Sequence, residues 1–138
     1  SERERLLRAI RQEASAGSGL VPWDEGQARA NARRQAEILM SVLNQVPGGV
    51  VVYATCALSS IENDEVVAGV LREARLGWRA CGGRAGFADA ASMPWAPEAL
   101  GALAAGAGVE ATEHGWQLLP DHGGWGPIYW SVLASPEV

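Results

Sequence analysis

The chain has 138 residues, 48% of them hydrophobic and 20% charged, with a net charge of −5. That balance fits one folded domain with its own core and argues against a disordered chain. No apolar run reaches the roughly 20 residues of a membrane span, and the negative charge argues against a protein that holds nucleic acid by bulk electrostatics.

Residues 2–13 predict a helix with Leu6, Leu7 and Ile10 on one face, followed by a Gly/Ser/Ala link over 14–19. Val21-Pro22-Trp23-Asp24 reads as a turn. A long amphipathic helix follows from about Glu25, its apolar positions Ala28, Ala32, Ala36, Leu39 and Leu43 flanked by Ile38, Val42 and Val46. Pro47-Gly48-Gly49 stops it. Residues 49–55 predict a strand with no polar alternation, hence one buried on both faces as in a parallel sheet. Ser59 with Glu62 three residues on fits a capping box for the next helix. Glu62, Asp64 and Glu65 lie at its positive end, and Val66, Val67, Val70 and Leu71 form its apolar face. Helix, strand and helix in succession indicate an α/β sheet. Beyond residue 77 the expected elements are a short strand at 78–81, then loop with a small helix near 97–105. A strand at 115–120, a loop at 121–127 and a closing strand at 128–133 follow, the last two strands forming an antiparallel pair. No internal repeat or domain boundary interrupts the chain, so 1–138 is read as part of one domain.

The positive charge is all arginine and is unevenly spread. Residues 1–34 hold seven arginines against five acids, the remainder four against eleven. Arginine forks suit phosphate; compositional bias of the source accounts for the same pattern.

The candidate chemistry centres on Cys56. Free cysteine often serves as a small buried hydrophobe. A strand end followed by a helix start is instead where open α/β sheets place reactive groups, and exposed N–H groups there favour negative charge. A thiolate so placed can attack an electron-poor carbon. Cys81 has no neighbouring base or cap and is read as structural. His114 and His122 lack a second ligand at metal spacing and read as surface residues, and Trp125 as an exposed aromatic. The two cysteines form neither a disulfide framework nor a metal set, which suits a reducing compartment.

Taken together, Gln35-Ala36-Glu37-Ile38-Leu39, Pro47-Gly48-Gly49, Val52-Tyr53-Ala54-Thr55-Cys56 and Glu62-Asn63 resemble the RNA cytosine-C5 methyltransferases of the Sun/Fmu/Nop type. That family's pattern is Q-x-x-[IL]-L, P-G-G, V-Y-[SA]-T-C and E-N-E; Glu62-Asn63-Asp64-Glu65 departs from the last element. Leu118-Leu119-Pro120 through Gly126-Pro127-Ile128-Tyr129 is similar to its closing hairpin. The likeness covers residues 20–75 well and 115–134 more loosely. It implies the C-terminal half of a Rossmann-like class I methyltransferase sheet ending in an antiparallel strand pair. It also implies an enzyme in which Cys56 is the nucleophile that adds to C6 of a cytosine in rRNA or tRNA, with S-adenosylmethionine as methyl donor. The family's Gly-rich cofactor half and its Pro-Cys motif have no counterpart here, and Ser1-Glu2-Arg3-Glu4-Arg5 resembles the residues that follow Pro-Cys. The expectation is therefore a C-terminal part of a longer enzyme that binds no cofactor or metal alone. It acts on RNA in the cytoplasm, or alternatively in mitochondria, without a membrane. A methyltransferase-like RNA- or ribosome-assembly scaffold without activity is the competing expectation.

Overall fold

The computed structural model describes residues 4, 8, 23–75, 77–86, 108–120 and 126–136. The helix read at 2–13 falls largely outside them, and the helix near 97–105, His122 and Trp125 fall wholly outside.

Helix α1 (Glu25–Gln45) starts at Asp24, whose side chain accepts from Gly26 N at 2.8 Å, the N-cap geometry that satisfies an otherwise orphaned amide. Its C-cap, Val46, is extended and leads through Pro47 to β1 (Val50–Thr55). A 3-10 turn (Ser60–Glu62) precedes α2 (Asp64–Glu73), and four strands follow: β2 (Arg79–Cys81), β3 (Glu110–Ala111), β4 (Trp116–Leu118) and β5 (Ile128–Ala134). The fold is mixed α/β, with a five-stranded sheet in which every pairing is antiparallel.

The last strand in sequence occupies the middle of the sheet. β5 pairs along its length with β1, from Val50↔Ala134 to Thr55↔Tyr129. Its other edge carries β2 beside 132–134 and β4 beside 128–130, with β3 outside β4. The expected antiparallel pairing of the two late strands is present. Both helices contribute to one core, in which Leu39, Leu43, Val66, Val67 and Val70 meet Trp78, Ala80, Tyr129 and Leu133, with Val51 and Tyr53 packed against them. A smaller cluster joins Cys81, Val132 and Ala134, bordered by Trp116 and Trp130, whose rings stack 6.1 Å apart. No described helix is long and apolar enough to cross a membrane.

Three expectations are corrected. β1 is not buried on both faces: its burial alternates, and Val50 and Val52 are 38% and 60% exposed. It lies at the sheet edge, paired only with β5 among the described residues, rather than inside a parallel sheet. Ile38 and Val42 of α1 are exposed, because the buried stripe runs through Ala28, Leu39 and Leu43. The capping box does not close: Ser59 Oγ accepts from Ile61 N at 3.2 Å, while the Glu62 carboxylate turns to Gln35.

The edge has a consequence for solution behaviour. Ser135 N donates to Gly49 O at 3.0 Å. Antiparallel alternation then directs the N–H and C=O groups of Val50, Val52 and Ala54 away from β5. The strand VVVYAT carries no charge, proline or bulge to blunt that edge. The 138-residue chain is therefore expected to self-associate as its concentration rises, and Val52→Lys to shift it toward monomer. Sedimentation velocity over a dilution series checks this, and identical profiles for the two proteins would refute it.

Candidate active site

Cys56 follows the last residue of β1 and is a free, exposed thiol, whereas Cys81 is 1% exposed. The buried-hydrophobe reading thus fails for Cys56 and suits Cys81. Burial pushes the Cys81 thiol above its ordinary pKa, against a smaller opposing effect of Arg79, which makes it a poor nucleophile. Residues 57–63, including the 3-10 turn, separate Cys56 from α2, so the α-helix proper starts at Asp64, later than a cap at Ser59 predicts.

That loop is held by side chains. Thr55 Oγ1 donates to Asn63 Oδ1 and accepts from Ala57 N at 3.2 Å, and Asn63 Nδ2 donates to Ala57 O at 2.8 Å. Asn63 is 3% exposed. Its own backbone is tied into the helical segment, N donating to Ser60 O at 3.1 Å and O accepting from Val67 N at 3.2 Å. One residue earlier, Glu62 O accepts from Tyr53 OH at 2.7 Å and Glu62 Oε1 accepts from Gln35 Nε2 at 3.0 Å. Burial, helped by the nearby Glu62 charge, pushes the Tyr53 hydroxyl well above its ordinary pKa, so it remains a donor. Hydrogen bonds therefore join three separate sequence segments, Gln35 to Glu62 and Tyr53–Thr55 to Glu62–Asn63, in the stretch that flanks Cys56.

The next residue, Asp64, anchors the far side. Oδ1 accepts from Tyr129 OH at 2.8 Å, Thr112 Oγ1 at 2.9 Å and His114 N at 3.1 Å, and Oδ2 accepts from Glu113 N at 2.9 Å. This ties the start of α2 to the β3–β4 turn and to β5. Local sequence assigns Asp64 only a helix-dipole role. Its partners lie 48 to 65 positions away, and no local spacing announces them. His114 takes part through its backbone, N to Asp64 and O from Ser131 Oγ at 2.6 Å.

Two cavities adjoin these segments. A polar pocket of about 110 Å³ is lined by Ser60, Asn63, Asp64, Thr112, Gln117 and Tyr129, among others. A shallow groove of about 270 Å³ between α1 and α2 is lined by Arg29, Ala32, Arg33, Ala36, Ile61 and Glu65, among others. Both fall below the roughly 300–1,000 Å³ of ordinary small-molecule sites. Among the described residues, no group of three or more His, Cys, Asp or Glu side chains is placed to hold a metal ion. What the arrangement offers is an exposed sulfur at a strand end, on a loop fixed from both sides. Comparison with protein-family models, with curated proteins and with solved structures finds no match to this chain.

Proposed function

We propose that this chain carries the nucleophile-bearing part of an RNA cytosine-C5 methyltransferase, acting on rRNA or tRNA through Cys56. The reading starts from the motif resemblance. The observation that supports it best is the hydrogen bonding of Gln35 and Tyr53 to Glu62, and of Thr55 and Ala57 to Asn63, which draws the matching segments together beside one exposed thiol. The sheet is compatible with it, since β1 and β2 run in the same direction on opposite edges of an antiparallel β5, as at the end of a Rossmann-like methyltransferase sheet.

In this reading the Cys56 thiolate adds to C6 of the target cytosine. The S–C6 bond forms, the C5–C6 π pair moves toward C5 and the ring's acceptor atoms, and C5 becomes nucleophilic. The base leaves its stack to reach the sulfur, because addition to C6 comes from the face of the ring, which neighbouring bases cover inside a helix. S-adenosylmethionine is the methyl donor that the resemblance implies, and the Gly-rich motif that holds it in the family has no counterpart in this sequence. Its binding is assigned to polypeptide beyond this chain, whose own share of the chemistry is the activation of the base by sulfur.

The test uses the longer protein that contains this sequence and RNA carrying 5-azacytidine. A protein–RNA adduct stable to denaturation is expected for the wild type and is lost in Cys56→Ala. Undiminished adduct or turnover in Cys56→Ala would remove Cys56 from the role. Absence of any adduct, together with no S-adenosylmethionine binding by calorimetry, would favour the inactive scaffold.

A further inference from the structure

We propose that Asn63 is the positioning residue of Cys56, an inference that rests on the reading of Cys56 as nucleophile. Its carboxamide uses both ends, accepting from Thr55 Oγ1 and donating to Ala57 O, so it bridges the residues on either side of the cysteine. Thr55 Oγ1 also accepts from Ala57 N. The peptide unit that leaves Cys56 and the one after it are thus each held by a side chain. The sulfur itself has no hydrogen-bonded partner among the described residues, and its direction is set by this frame.

Only a carboxamide can do this here. A carboxylate would present a second acceptor to the Ala57 carbonyl, and an aliphatic side chain would leave the part-buried Thr55 hydroxyl without an acceptor and the Ala57 carbonyl without a donor. Asn63 also joins the thiol loop to the rest of the molecule, because it sits beside Asp64 and is anchored in the turn that starts α2. A misplacement on the order of 1 Å at a reacting atom costs roughly a hundredfold in rate. The frame therefore matters more for turnover than for binding.

The test has two arms. In the first, the 138-residue chain in a Cys81→Ala background that also carries Val52→Lys, to keep the β1 edge unpaired, is alkylated at Cys56 with a trifluoromethyl ketone reagent and read by fluorine NMR. One narrow resonance is expected for the parent, and broadened or multiple resonances for Asn63→Ala and Thr55→Val. Thr55→Ser keeps the hydroxyl and is expected to restore the single line. The same narrow line in all of them overturns the proposal. Thr55→Val keeps side-chain shape and removes only the hydroxyl link, so the test survives a failure of Asn63→Ala to fold. The second arm uses the longer enzyme with substrate RNA. There, kcat in both variants is expected to fall roughly ten- to a hundredfold while KM for RNA stays within about twofold; unchanged kcat overturns the proposal. A wild-type enzyme that transfers no methyl group refutes the methyltransferase reading instead, and the fluorine spectrum alone then decides the role of Asn63.

Discussion

Asp64→Ala is expected to destabilise the fold by about 3 kcal/mol, seen as a lower urea midpoint with an unchanged slope. The carboxylate accepts four hydrogen bonds, two from backbone amides and two from hydroxyls. At about 1 kcal/mol net for each, more for a charged acceptor, the sum exceeds the figure given. It is reduced because Asp64 is only half-buried, so water re-enters at part of the site. The Tyr129 hydroxyl belongs to a residue that is 1% exposed and would be left without its acceptor. Tyr129→Phe removes that donor and leaves Asp64 three others, so its cost should be about 1 kcal/mol. A result in which Tyr129→Phe costs more than Asp64→Ala would contradict Asp64 as the hub. The same group sets a pH dependence. Burial alone would raise the Asp64 pKa, but the hydrogen bonds from Tyr129, His114, Glu113 and Thr112 outweigh it and hold the carboxyl below its ordinary value. The unfolded carboxyl titrates near pH 4. Between that value and the lower folded one, the unfolded chain binds more protons. The contribution is therefore complete above about pH 4 and is lost as pH falls through the folded value. Asp64→Asn should flatten the stability profile in that acid window and leave its neutral slope unchanged.

The parts of this fold that were legible in the sequence are those set by neighbouring residues. The apolar periodicity from about Glu25 marks α1, Pro47-Gly48-Gly49 its end, and the valine run β1. A run such as Val50-Val51-Val52 states that the strand is apolar but not which faces or edges are covered, and that depends on β5, about 80 residues later. On α1, Ile38 and Val42 were grouped with Leu39 and Leu43, although each is one residue, about 100° of helix, off the stripe; strict helical phase would have placed them outside. The capping box failed because Gln35, 27 positions earlier, competes for Glu62. Cys56 was legible from its position at a strand end. Asn63 was visible only as a letter in a motif, and its function comes from contacts with both neighbours of Cys56 that spacing does not reveal.

Gly115→Ala is expected to cost about 3 kcal/mol and lower Tm by roughly 10 °C. The glycine is buried in the turn between β3 and β4, where its carbonyl accepts from Thr112 N at 2.8 Å. A Cβ there would lie 2.2 Å from Trp130 O, 3.0 Å from Trp130 C and 3.1 Å from Ser131 Cα. These atoms belong to the backbone of β5, which is paired on both edges, so they cannot swing aside as a side chain could. The turn itself must lift, against the Ser131 Oγ bond to His114 O. Lifting it withdraws three of the four donors to Asp64, those of Thr112, Glu113 and His114. The two substitutions therefore draw on one set of contacts, and their effects should not add. In a double-mutant cycle, Asp64→Ala with Gly115→Ala is expected to lose at least about 1 kcal/mol less than the sum of the single changes. Strict additivity would show that the turn and the start of α2 are stabilised separately, and that Asp64 does not link the sheet to the segment that holds Cys56.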